Sequence, residues 1–388
     1  MPWALLVALF VGAIDQPLTL EEVLARTRPS AEELFLAADL AETRRELAGT
    51  SSWRADAPTL GATVGARRAE GSTRPDVELE LDWPLLARPT ARQLLVDALA
   101  AAEATLLGAA RLETLGRATA AYRECWAAAA RLTLAREDLA TVERWAGITA
   151  RRAEAGAAAD FEVDLLSAEV AEARARVALA EAEELRARSA LAALVDRPLG
   201  TSPLAVPPAP PLPEAAGWEA RFQGGLSRRA LAAGLALEEG RLALATAREG
   251  SRLDLATRVA REGDESVARV GLAYRLFGRQ EPAALEAAAE ARRQAARRRH
   301  AEAAAALDAR FEHARGLVSR LGVMTPAAGL DRALGALEAR LVEGKATAAE
   351  VLALRRSVGA LRRDRLDHDL ALLAARQELS LLTTEVNP

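Results

Sequence analysis

Asp76-Val-Glu-Leu-Glu-Leu-Asp-Trp83 alternates without a break: Val77, Leu79, Leu81 and Trp83 fall on one side, and Asp76, Glu78, Glu80 and Asp82 on the other. A period of two, with carboxylates on one face and branched or aromatic groups on the other, predicts a strand with one wet face. Just upstream, Pro58 to Arg68 alternates through Leu60, Ala62, Val64 and Ala66, and the turn-like Gly71-Ser-Thr-Arg-Pro75 joins the two runs. The result is a hairpin with strands at about 58–68 and 76–83. Much further on, Leu253, Leu255 and Val259, the turn Glu262-Gly-Asp-Glu-Ser266, and Val270, Leu272, Tyr274 and Leu276 repeat it, with Arg269 and Arg275 on the polar side. These place strands at about 252–261 and 268–276.

The second hairpin is a copy of the first. Leu79, Leu81, Trp83 and Leu85 match Val270, Leu272, Tyr274 and Leu276 at a shift of 191. A second landmark, Arg152-Ala-Glu-Ala-Gly156 followed by Glu162-Val163 and Leu166, matches Arg340-Leu-Val-Glu-Gly344 followed by Glu350-Val351 and Leu354 at a shift of 188. Two landmarks in one order at nearly one offset identify a tandem duplication, with repeats at 17–200 and 214–388 around a proline-rich linker at 201–213. Dense proline forbids helix there and favours an extended, semi-rigid chain.

Everything else reads as helix. The chain has 388 residues, 51% apolar but only 4% aromatic, and the Ala/Leu/Glu/Arg mixture favours long helices over a compact mixed core. Leu18 to about Arg54 is helical in pattern. Pro89 to about Ala150 and Pro282 to about Arg340 lack internal proline, and 60 residues of helix reach about 90 Å. Gly316, Gly322 and Pro326 are expected to interrupt the second of these. Tight turns follow at about 152–161 and 340–350. Beyond them, Val163, Leu166, Val170, Ala173, Val177, Ala180, Ala187, Leu191 and Leu194 form one coiled-coil seam, broken by Glu184. Val351, Leu354, Val358, Leu361, Leu372, Ala375, Leu379 and Leu382 form the other, broken by Arg365 and His368. The fold class is therefore mainly α with a small β part: long coiled-coil helical hairpins in tandem, plus four strands.

The charge balance, 51 basic against 55 acidic side chains and a net charge of −4, argues against a nucleic-acid partner. A single cysteine, Cys125, excludes an internal disulfide framework and a Cys-based zinc cluster. Met1 to Ala13 is apolar and ends in Val11-Gly12-Ala13, which reads as a secretory signal at 1–13 despite having no Lys or Arg in its n-region. A buried N-terminal strand or a misplaced start codon is the alternative. No later segment offers 18 uninterrupted apolar residues, so no transmembrane helix is expected. Strands of about 8 to 11 residues with one apolar face suit a tilted bilayer crossing. Four cannot close a barrel, and lipid tolerates no open edge, so three chains would pool twelve strands. Trp83 and Tyr274 fall at equivalent strand ends, as an aromatic belt at the membrane interface requires. A soluble hairpin packed on a helix is the plainer reading.

With these parts in order, the sequence resembles the outer membrane efflux proteins typified by TolC, over nearly its whole length. Leu18-Thr-Leu-Glu-Glu-Val-Leu-Ala is similar to the family's opening helix, and Trp83-Pro-Leu-Leu to its strand-to-helix junction. Leu191-Ala-Ala-Leu-Val-Asp-Arg-Pro-Leu-Gly200 resembles the end of its first repeat. Arg152-x-x-x-Gly156 and Arg340-x-x-x-Gly344 look like its periplasmic hairpin tips. The resemblance implies a homotrimer with a twelve-stranded outer-membrane β-barrel on a twelve-helix periplasmic α-barrel, seated in outer-membrane lipid. It also implies docking to a periplasmic adaptor (a membrane fusion protein) and an inner-membrane transporter of RND or ABC type. Docking would fall at Arg152, Gly156, Ala157, Arg340, Gly344 and Lys345. The chain departs from the family at Ala157 and Lys345, where a larger apolar residue is common, and at Tyr274-Arg-Leu-Phe, which lacks the junction proline.

No catalytic constellation, cofactor motif or metal spacing stands out. Gly344-Lys345-Ala346-Thr347 lacks the upstream glycine and the adjacent hydroxyl of a phosphate loop. His300, His313 and His368 are not spaced as ligands, and Asp367-His368-Asp369 reads as a solvated patch. Arg297, Arg298 and Arg299 read as a solvated face, and Cys125 as a buried packing residue. The acids after the turns carry more information. Asp160, Glu162 and Asp164 follow the first, and Glu350 follows the second at the position matching Glu162. In a ring of three chains Glu162 and Glu350 would crowd carboxylates around a pore constriction, with Asp160 nearby. Equally, they are helix-start acids favoured by the macrodipole. Gly156 and Gly344 are expected at positive φ. Besides a passive exit duct, two rivals remain: a periplasmic coiled-coil scaffold or adaptor without a barrel, and an enzyme on a helical frame.

Overall fold

The computed structural model describes residues 17–49, 59–69, 72–84, 89–195, 202–249, 252–262, 265–275, 281–322 and 330–385. The expected leader at 1–13 lies outside them. In chain order the elements are α1 (Leu20–Ala25), α2 (Ala31–Gly49), β1 (Thr59–Ala69), β2 (Ser72–Pro84), α3 (Pro89–Glu154), α4 (Asp160–Ala192), α5 (Trp218–Gly224) and α6 (Leu226–Glu249). Then follow β3 (Arg252–Glu262), β4 (Glu265–Arg275), α7 (Glu281–Leu321), α8 (Leu330–Val342) and α9 (Ala348–Leu382).

The opening helix is shorter than its pattern. It stops at Ala25, and Thr27 instead forms an antiparallel bridge with Val195. Pro29 accounts for the break, because the residue before a proline is sterically kept out of the helical region. α3 runs 66 residues without interruption, about 100 Å of helix. Within 92–154 it is long and apolar enough, by composition, to cross a membrane. Charged residues such as Asp97, Glu103 and Arg111 still interrupt it, so it holds no run of 18 uninterrupted apolar residues, and alanine makes it apolar without making it bulky.

The chain divides into two compact units, and each draws on both repeats. The first comprises 1–30, 111–222 and 309–384; the second comprises 31–110, 223–308 and 385–388. The sequence repeats are therefore not separate bodies.

In the second unit the four strands form one antiparallel sheet in the order β1-β2-β3-β4, so β1 and β4 are its edges. The register aligns like with like. Ala62, Leu79, Val259 and Ala268 share one row across the sheet, and the adjacent row reads Gly61, Glu80, Arg258 and Arg269. Trp83 and Tyr274 occupy the penultimate positions of β2 and β4, opposite Leu255 and Leu253. In the same unit, Leu40, Leu47, Leu95, Leu99 and Leu237 form a buried cluster where α2, α3 and α6 pack. Gly240 lets α6 approach closely, since a Cβ there would come within 3.2 Å of the Leu95 backbone. Arg297 and Arg299 pair with Glu239 and Glu238, so this arginine run is ion-paired as well as solvated.

In the first unit, Leu166, Ala173, Ala180 and Leu191 of the α4 seam are buried. So are Val351, Val358, Ala375, Leu379 and Leu382 of the α9 seam, whereas Leu361 is 43% exposed. His368 is not simply solvated: its Nε2 lies 3.1 Å from the Leu321 carbonyl at the end of α7, and its Nδ1 lies 3.3 Å from Asp369. Cys125 is fully buried, in a cluster with Tyr122, Leu18, Val23, Leu191 and Val195. The stretch after the first repeat is tied down here. Leu18 and Leu204 form a parallel bridge, and the Tyr122 hydroxyl lies 2.8 Å and 2.7 Å from the Leu18 and Ala205 carbonyls.

Burial is the main cause that pushes the Tyr122 phenol from 10.0 up to about 12. The folded state thus favours the neutral, hydrogen-bonded phenol. Its contribution, roughly 2–3 kcal/mol, is complete below pH 10 and is lost as pH rises through about 12. Tyr122→Phe is expected to lower stability at pH 8 by about 1–3 kcal/mol and to remove part of the alkaline fall, as read by chemical denaturation at several pH values.

Candidate functional site at the helical-hairpin tips

Both turns end their helices in the same way. At the first, the Gly156 and Ala157 amides donate to the Ala153 and Arg152 carbonyls at 2.8 Å and 2.7 Å. At the second, the Gly344 and Lys345 amides donate to the Leu341 and Arg340 carbonyls at 3.1 Å and 2.8 Å. This pair of bonds is the Schellman motif, which satisfies carbonyls orphaned at a helix end and requires a left-handed residue after the cap. Gly156 at φ 70° and Gly344 at φ 74° supply it. The arginine of each Arg-x-x-x-Gly stretch then folds over its own turn. Arg152 donates to the Ala157 carbonyl at 3.1 Å, and Arg340 to the Lys345 carbonyl at 3.4 Å.

The copies differ in how they are joined. Arg152 also donates across to the Leu341 carbonyl of the second hairpin at 3.2 Å, while Arg340 stays exposed. A Cβ at Gly344 would sit 3.4 Å from an Arg152 guanidinium nitrogen, whereas one at Gly156 would meet nothing within 4 Å. Gly156→Ala is therefore expected to cost about 1 kcal/mol through φ alone. Gly344→Ala should cost about the same, because a Cβ 3.4 Å from the flexible end of Arg152 is an ordinary contact and its φ is equally positive; paired thermal melts check the match.

The acids at the new helix starts are engaged in capping. Glu350 forms a capping box with Thr347: its carboxylate accepts from the Thr347 amide at 2.8 Å, and the Glu350 amide donates to the Thr347 hydroxyl at 3.3 Å. Those bonds, first from the Thr347 backbone, hold the Glu350 carboxyl below its ordinary range. The first copy has Ala159 where the second has Thr347. Glu162 there accepts from the Ala159 amide at 3.4 Å and from the Ala348 amide of the other hairpin at 3.2 Å. One carboxylate thus serves two helix N-termini, where the macrodipole favours it. Asp160 opens α4 and is exposed. Lys345 pairs with Glu343 at 2.8 Å. Beneath the turns, Val142, Trp145, Leu166, Leu341, Ala346, Ala348, Val351 and Leu352 form a closed apolar core.

Farther from the turns lies a charge cluster that sequence reasoning missed. Arg355, 3% exposed, donates to both oxygens of Asp138 at 2.7 Å and 2.9 Å and to Glu169 at 2.9 Å. Glu169, also 3% exposed, accepts in addition from Arg356 at 2.7 Å and Arg176 at 3.2 Å. Burial pushes the Glu169 carboxyl up, but Arg356 and Arg355 more than reverse this and hold it below the ordinary value. The cluster joins α3, α4 and α9. A signal was available: Arg355 stands three residues after Leu352 and three before Val358, and Glu169 stands three after Leu166 and four before Ala173, each on the apolar stripe of its helix.

No protein-family model matches the sequence, and no curated protein sequence matches it. Solved structures do match its fold. The outer-membrane channel OprN aligns at a TM-score of 0.75 and 18% identity, over 94% of this chain and 88% of that one. The outer membrane channel CmeC of Campylobacter jejuni aligns at 0.73 and 12%, over 95% and 87%. The open-state outer membrane channel MtrE of Neisseria gonorrhoeae aligns at 0.69 and 18%, over 94% and 88%. At these identities the likeness establishes a shared fold: this chain is built as those channel chains are, nearly from end to end.

Proposed function

We propose that the chain is the outer-membrane channel subunit of a tripartite efflux or secretion system, a passive exit duct assembled as a homotrimer. The observation that carries this is the sheet. Its four antiparallel strands end in two edges, β1 and β4, each 11 residues long. Such edges are untenable in lipid unless they are paired. The duplication supplies the pairing rule. β1 and β3 hold equivalent places in the two repeats, as do β2 and β4, so the β2–β3 contact is a template for β4 meeting β1 of the next copy. In β2–β3, Trp83 faces Leu255, and Leu60 and Leu255 hold equivalent places opposite Leu81 and Leu272. Transposed, Tyr274 faces Leu60 of the neighbouring chain. Three copies then close twelve strands, within the range in which barrels form.

The helical hairpins extend the duct into the periplasm, and their tips dock a periplasmic adaptor that connects to an inner-membrane transporter of RND or ABC type. Arg152, Gly156, Ala157, Arg340, Gly344 and Lys345 form the docking edge. Glu162, Glu350 and Asp160 contribute carboxylates to the pore mouth, in addition to the helix caps that Glu162 and Glu350 already make. Trp83 and Tyr274 anchor the barrel at the interface. The likeness to channel structures and the exposed, Ala-rich apolarity of α3, which three packed copies would cover, support the same reading.

Reconstitution in planar bilayers tests it. The wild-type protein should conduct with a preference for cations, and Glu350→Gln combined with Glu162→Gln should reduce that preference severalfold. A protein that forms no conducting unit would leave the coiled-coil scaffold as the better account.

A further inference from the structure

The segment Val206-Pro-Pro-Ala-Pro-Pro-Leu-Pro-Glu214 plays no part in the barrel or the tips, yet its burial is regular. Pro207 is buried and Pro210 and Pro213 are half-buried, whereas Pro208, Pro211 and Glu214 are exposed; of the remaining row, Val206 (71%) and Ala209 are exposed and Leu212 is half-buried. One row of every third residue is thus packed and another is exposed throughout, the period of a polyproline-II helix. Glu214 has φ −58° and ψ 142°, inside that region, and no helix or strand is assigned from Val206 to Pro213. Both ends are fixed. Upstream, Leu204 is bridged to Leu18, and Arg188 donates to the Ser202 carbonyl at 3.1 Å. Downstream, the buried Trp218 indole donates to the Pro213 carbonyl at 2.8 Å.

One edge of the segment thus packs on the protein and another, carrying Pro208 and Pro211 about 9 Å apart, faces outward. Packing alone does not need prolines on the outward edge, where both are exposed. Exposed prolines three apart, on a strand already ordered, are what an aromatic-lined groove binds, because the ligand has little conformational entropy left to lose. We propose that residues 206–214 are a preformed polyproline-II docking strand for a partner protein whose groove is lined by aromatic rings. The inference stands independently of the channel reading.

The test uses the full-length protein in detergent and, as probe, an isotope-labelled WW domain that binds Pro-Pro-x-Pro peptides. Saturable binding is expected, with shifts confined to the aromatic groove of the probe. Pro208→Ala combined with Pro211→Ala should weaken it at least tenfold while leaving the melting temperature and helical signal in place. Pro207→Ala, on the packed edge, should lower the melting temperature and keep the binding. Absence of binding, or binding equal in the double variant, would overturn the proposal. In cells, a photocrosslinker at Ala209 should yield one defined adduct that disappears in the double variant; no adduct, or one that persists, would also overturn it.

Discussion

Leu79→Arg is expected to abolish assembly in the membrane, whereas Glu80→Gln, one residue away, leaves it intact. In the isolated chain both positions are exposed, Leu79 at 46%, so a water-soluble sheet would accept either change. A barrel would not. The Leu79 row is apolar in all four strands, with Ala62, Val259 and Ala268, and in the proposed barrel it would face lipid. An arginine near the bilayer midplane costs about 2–4 kcal/mol, and a trimer incurs that cost three times. The amount of assembled protein extracted from outer membranes should fall by well over tenfold. Glu80 sits in the row with Arg258 and Arg269, on the wet face, where loss of one charge changes little. Equal behaviour of the two variants would mean that neither face meets lipid.

The second large effect concerns Arg355→Ala. Truncating this side chain leaves the half-buried Asp138 without its bidentate partner and the buried Glu169 without its 2.9 Å contact. Removing one member of a buried ion pair typically costs 3–5 kcal/mol, so a loss of about 3 kcal/mol is expected, because Arg176 and Arg356 remain. Arg356→Ala, at a position 63% exposed, should cost far less. The comparison by urea denaturation separates a buried tie between α3, α4 and α9 from surface charge. The tie also has an acid limit. Glu169 has its carboxyl pKa lowered in the folded state, so its contribution is present above the usual carboxylate range and fades as pH falls through the depressed value.

Much of this architecture was legible in the residues, for identifiable reasons. Strict alternation at 76–83 has no competing helical reading, and β2 runs from Ser72 to Pro84 around it. Gly156 and Gly344 were legible because a left-handed cap is a requirement of the backbone, independent of neighbours. Leu18 to Arg54 was misread as one helix because its periodicity outweighed Pro29, although the proline's steric rule is the stronger local constraint. The acids Glu162 and Glu350 were found, but their bonds were not. Whether Glu162 caps one helix or two depends on where the Ala348 amide lies, 186 residues away in sequence. The buried cluster escaped for a related reason. A charge on an apolar stripe reads as a seam-breaker until three helices bring Asp138, Glu169 and Arg355 together.

The central claim is that β4 of one chain pairs with β1 of the next, and a cysteine pair tests it directly. Leu60→Cys and Tyr274→Cys are introduced together, with each single variant as control; native Cys125 is fully buried and does not interfere. Within one chain these positions lie on opposite edges of the sheet, three strands apart, beyond the reach of a disulfide. Oxidation in the outer membrane is predicted to convert the double variant to covalent dimers and trimers of the chain, and neither single variant to a trimer. A double variant that remains monomeric under oxidation, while its strands are folded, would contradict the shared barrel.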